Sequence, residues 1–177
     1  MNAILGSSIV LVVGLALWSA AAMTFGDWFW AAFEVQHRAV NGLLHGTLLC
    51  GWMGLFLGLA SRKVPTGILG GAAVGFLSAA SFYALVPLGG WNVMFLSWIL
   101  LWLGLAWLAS RLVGVAGESA GGLAARALLG SILSAGAFYL VSGIWRVHPP
   151  QPNYAWHFAA WTFAFLPGCF ALVWRKR

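Results

Sequence analysis

Residues 40–86 read VNGLLHGTLLCGWMGLFLGLA-SRKVP-TGILGGAAVGFLSAASFYALV. Two apolar runs, each of about 20 residues, flank the short polar break Ser61-Arg62-Lys63-Val64-Pro65. About 20 apolar residues is the length of a helix that crosses a ~30 Å hydrocarbon core. This stretch therefore predicts a helical hairpin in a membrane. The pattern repeats in both directions along the chain, at about Ala3–Thr24, Trp91–Leu112, Leu123–Trp145 and Asn153–Trp174. With Val40–Ala60 and Gly67–Val86 these make six expected spans, an all-α polytopic bundle within a single membrane domain.

Composition agrees. Of 177 residues, 62% are hydrophobic and only 7% charged, against about 25% charged in a soluble domain. The mean hydropathy is +0.92. A soluble enzyme, a disordered chain and a nucleic-acid binder are excluded as classes. The net charge of +6 invites a nucleic-acid reading. The basic residues, however, are scattered at the ends of the apolar runs, where they act as topology signals. Arg62, Lys63, Arg111, Arg126, Arg175, Lys176 and Arg177 fall on the side that holds both termini of a six-span chain. Arg38 and Arg146 fall on the other. The bias predicts cytoplasmic termini in a bacterial-type inner membrane. The first run is read as a retained span, since it lacks a positive segment ahead of its apolar core.

Helix contacts are expected at small residues. Gly67, Gly71 and Gly75 recur at every fourth position, as do Gly42/Gly46 and Gly54/Gly58. Such faces let helix backbones approach closely, here chiefly within the chain; a homo-oligomer or a larger membrane complex is the other use of such a face. Cys50 and Cys169 lie inside apolar runs, so no disulfide framework is implied.

The polar residues gather on the non-cytoplasmic side, with all four histidines and two of the three acids there. At 100° per residue, Asp27, Glu34, Arg38, Asn41 and His45 fall near one line. A polar-striped interfacial helix over about 27–40 is expected, leading into the second span. His157 lies about as deep in the sixth span as His45 does in the second. A polar group at that depth faces a cavity or a partner. An outward pocket built from the second and sixth spans is the leading expectation. Glu34, Arg38, Asn41, His45, His157 and Trp161 are its candidate ligand contacts, with Trp28, Trp30 and Trp156 as further stacking surfaces.

Three chemistries fit such a pocket. A binding or transport component would hold a small molecule there. Glu34-x-x-His37 has the i, i+3 spacing of paired ligands. With His45 and His157 it would supply three or four N/O donors to a metal. Two histidines from different helices can also ligate haem. A metal- or histidine-dependent membrane enzyme is the alternative, and an accessory subunit of a larger complex is a further one. The Gly117-Glu118-Ser119-Ala120-Gly121 sequence matches the G-x-S-x-G of serine hydrolases. It joins two membrane helices rather than a strand and a helix, and is read as a loop.

Overall fold

The computed structural model describes residues 2–33, 37–114, 119–145 and 153–173, with side chains omitted at 2–8, 30, 33, 38, 114 and 142–145. Among the described residues there is no strand. The helices are α1 (Asn2–Phe33), α2 (Arg38–Ser61), α3 (Val64–Gly89), α4 (Val93–Ala109), α5 (Ala120–Trp145) and α6 (Tyr154–Val173). Five helical stretches are long and apolar enough to cross a membrane. One of them, Val64–Val113, is 50 residues long and folds back on itself as the α3–α4 hairpin.

The helix ends follow from local chemistry. Arg62 takes a left-handed conformation (φ 58°), and its N–H and that of Lys63 close onto the carbonyls of Leu59 and Gly58. This is a left-handed cap that satisfies carbonyls the helix would leave free. Pro65 then sits in the first turn of α3, where a missing N–H costs nothing. Gly90, at φ 58°, stops α3 and opens the 3-10 turn Gly90–Asn92 that reverses the chain into α4. A π-helical turn, Ser110–Gly114, ends α4. Ser119 and Asn153 cap the next two helices: their side-chain oxygens accept from Gly122 N and Trp156 N, each at 3.1 Å. Ser119, the centre of the hydrolase-like pattern, is thus a helix cap, while residues 115–118 lie outside the described set.

Two expected boundaries are corrected. The first span does not end at Thr24, and 27–40 is not a separate interfacial helix. Residues 27–33 continue α1, and α2 starts at Arg38. Nothing in Thr24-Phe25-Gly26-Asp27 breaks a helix, and the carboxylate that would be costly at this depth finds donors on α6. The stripe expected from Asp27 to His45 is therefore divided between two helices.

The six helices run alternately up and down, and each packs on its chain neighbours, with α1 closing the ring against α6. The closest pair is α2 with α3. A Cβ on Gly54 would overlap the Gly67 carbonyl, one on Gly71 the Cys50 carbonyl, and one on Gly75 the Gly46 carbonyl. The glycine faces are thus spent within the chain, bringing two backbones into direct contact. Pro167 sits inside α6, and the N–H of the next residue, Gly168, donates to Ser134 Oγ of α5 at 2.9 Å. A buried hydroxyl here satisfies a backbone group beside the proline.

Side chains fill the middle and lower part of the ring. Trp102, Phe165, Leu15, Met53 and Leu105 are almost fully buried there. The Trp102 indole lies flat on Gly168, where no larger residue fits. Above this layer, toward the 89–92 turn, the helices part and leave space.

Candidate functional site

That space is a central cavity of about 550 Å³ to which all six helices contribute. Its walls come mainly from α2, α3 and α4 rather than from α2 and α6. Gly42 and Gly46 keep one wall low, and Phe82, Tyr83, Trp91 and Trp98 make the opposite wall aromatic. Tyr83 reaches the α2 backbone because Gly42 has no side chain: a Cβ there would collide with its phenol ring. Few polar side chains face the cavity, and among them are His45, Ser78 and Ser97. Ser97 is fixed by a 3.3 Å contact with Ser81. A largely apolar chamber with a few placed polar groups is the usual form of a small-molecule site.

His45 stands at the edge of this chamber. Its Nε2–H donates to Met23 Sδ at 2.9 Å, since the thioether can only accept. The ring lies in the space that a side chain at Gly26 would occupy. Gly26 is what lets α2's histidine approach α1.

One residue further along α1, Asp27 turns toward α6. Its Oδ2 accepts from His157 Nδ1–H at 3.1 Å and from Trp161 Nε1–H at 2.9 Å. His157 and Trp161 are four apart, so one helix face presents both donors to one carboxylate oxygen. The Asp27 and His157 side chains remain about a quarter exposed. Trp161 is 6% exposed; it stacks on Phe138 and Phe165 and borders the cavity. Asp27 thus ties the cavity's α6 wall to α1.

Between α1 and α2 lies a second space, a lateral cleft of about 630 Å³. Trp52 bounds it at one end and stacks on Trp18 at 4.2 Å and 11°. Each indole N–H donates to the other's backbone carbonyl, at 2.8 and 3.0 Å. Above this clasp the helices diverge between Ala22, Phe25 and Phe29 on one side and Leu44 and Leu48 on the other. Asn41 lines the cleft, and its amide nitrogen is buried without a hydrogen-bond partner among the described residues. His45 and Leu49 line both the cleft and the central cavity.

The expected site residues therefore separate. His45 and His157 approach the same stretch of α1, residues 23–27, but take different partners there. Asn41 and His45 share the cleft, and Trp161 borders the cavity. His157 braces Asp27 and lines neither space. His37 is exposed at the start of α2 and makes no side-chain cap. Glu34, His148 and the side chains of Arg38 and Trp30 lie outside the described residues. Among the described residues, no three of His, Cys, Asp and Glu converge as metal ligands do. Sequence reasoning missed Met23 and Tyr83. The signals were glycines: Gly42 on α2 admits Tyr83 of α3, and Gly26, one turn from Met23 on α1, admits the His45 ring that reaches Met23. Comparison of the chain with protein-family models, curated proteins and solved structures finds no match to any of them.

Proposed function

We propose that this chain crosses the membrane six times and serves as a binding or transport component for a small molecule held in the central cavity. The cavity carries the reading: about 550 Å³ bounded by aromatic rings, with His45, Ser78 and Ser97 as its polar points. A bundle of this size that packed for stability alone would gain from filling such a space, because lost contacts around a void are costly. The exposed Leu, Phe and Trp side chains around the outside of the bundle suit a lipid surrounding. The α3–α4 hairpin accounts for two of the six crossings. The 62–63 turn, with Arg62 and Lys63, and the adjoining ends of α4 and α5, with Arg111 and Arg126, form the end of the bundle rich in Lys and Arg. The positive-inside bias then puts that end in the cytoplasm and the cavity on the outer side of an inner, or plasma, membrane.

A histidine-dependent membrane enzyme is the second reading, favoured by the Asp27–His157 pair. The carboxylate accepts from Nδ1–H and orients the imidazole, as in carboxylate–histidine acid–base pairs. His157 lines neither space, however, which favours binding over catalysis.

The test is co-purification. Protein extracted in mild detergent and stripped with organic solvent is expected to release one small molecule in near-stoichiometric amount, read by mass spectrometry. Met94→Trp combined with Leu101→Trp, both at the cavity wall, fills the space and should abolish that signal while the helical circular dichroism persists. A wild-type protein that releases nothing beyond what the filled variant releases would overturn the reading.

A further inference from the structure

The central cavity and the α1/α2 cleft adjoin one another. His45 and Leu49 belong to the walls of both. The cleft side is apolar and open toward the surroundings: Phe25 is 62% exposed and Leu48 70%. In a bilayer these residues face acyl chains. A molecule entering from the hydrocarbon phase would reach the cavity sideways, past His45 and Leu49, without crossing the aqueous end of the bundle.

The polar groups along this path select the head of such a molecule. Ser78 and Ser97 bring hydroxyls to the cavity itself, and Asn41, in the cleft one turn from His45, has an amide N–H with no partner among the described residues. His45 spends Nε2–H on Met23. No Lys or Arg is among the described residues lining either space, and the carboxylate of Asp27 lies one residue from Gly26, against which His45 packs. An anionic head would have no cationic partner among these lining residues. An uncharged head with a hydrogen-bond-accepting oxygen meets what is present. The aromatic wall of Phe82, Tyr83, Trp91 and Trp98 favours a flat ring, which can stack or meet these rings edge to face.

Resting on the binding reading above, we propose that the occupant is an uncharged, tailed molecule drawn from the bilayer. Its flat, carbonyl-bearing ring lies in the central cavity and its hydrocarbon tail in the α1/α2 cleft, the chemistry of a prenylated quinone. The Trp18–Trp52 clasp marks the depth at which the tail leaves the protein for the lipid.

Decylubiquinone and the same benzoquinone without its tail are the probes, and quenching of intrinsic tryptophan fluorescence in lipid nanodiscs is the readout. The tailed quinone is expected to quench saturably and at least tenfold more tightly than the tailless one. Ala22→Trp, which fills the cleft, should reduce the tailed quinone to the affinity of the tailless one and leave the tailless one unchanged. The latter result doubles as the check that the variant is folded. Equal affinity for the two quinones, or tailed binding that ignores Ala22→Trp, would overturn the proposal. So would displacement by palmitate at equal potency, since its head is charged. If no quinone binds while a small molecule still co-purifies with the wild type and not with the cavity-filled variant, this proposal falls and the binding reading stands.

Discussion

Asp27 joins the first helix to the last, and its removal has a calculable cost. One oxygen accepts two hydrogen bonds, from His157 and Trp161, at 3.1 and 2.9 Å. Bonds to a charged group contribute about 1.5–3 kcal/mol each in soluble proteins. Between membrane helices the measured average is nearer ~0.6, with a maximum of about 1.7. The pair is also about a quarter exposed, which screens it further. Asp27→Ala is therefore expected to destabilise the bundle by about 1–3 kcal/mol in total. Asp27→Asn keeps a carbonyl acceptor and loses only the charge, so about half of that cost should return. Trp161→Phe removes one donor and preserves the stacking on Phe138. The coupling between Asp27→Ala and Trp161→Phe in a double-mutant cycle should be about 0.5–1.5 kcal/mol. Equilibrium unfolding in mixed micelles, followed by circular dichroism as SDS is added, measures all four corners. A coupling below about 0.3 kcal/mol, the ordinary error of additivity, would refute the idea that this carboxylate holds α1 to α6.

Two further outcomes follow from packing. Gly71→Ala drives a methyl group into the Cys50 carbonyl, whereas Gly136→Ala on α5 meets nothing within 4 Å. Overpacking costs about 1–3 kcal/mol, while a helical Gly→Ala change by itself gains about 0.5–1. The two variants should move the same unfolding midpoint in opposite directions, and a Gly71→Ala protein as stable as Gly136→Ala would refute the α2–α3 contact. Cys50 and Cys169 are fully buried, so native protein should resist thiol reagents until it is denatured. Against that silent background, His37→Cys and Asn153→Cys should react with an impermeant reagent on intact cells, and Lys63→Cys only after lysis. The reverse pattern would invert the proposed orientation.

Much of the architecture was legible in the chain itself. Apolar length, polar breaks and proline positions depend on neighbours a few residues away, so the helix boundaries after α2 lie close to expectation. The glycine faces were equally readable, because a repeat of four residues is a property of one helix. The stripe from Asp27 to His45 was not. Periodicity assumes one continuous helix, and the chain turns between Phe33 and Arg38. Asp27 then serves α6, more than 120 residues away, while Asn41 and His45 serve the cleft. Of the metal quartet, Glu34 lies outside the described residues, His37 is exposed, and His45 and His157 have separate partners.

By itself, then, the sequence determined that this protein is a bundle of apolar helices, where most of those helices stop, and which of their faces are small enough to touch. These properties follow from transfer free energy and local backbone chemistry. Only the tertiary structure decided which polar groups meet. That depends on how each helix is rotated about its axis and on which glycine faces which large side chain: Gly26 opposite His45, Gly42 opposite Tyr83, Gly168 opposite Trp102. Rotations of that kind are settled by packing around the whole ring, and they are what leave a cavity at its centre and a cleft at its side.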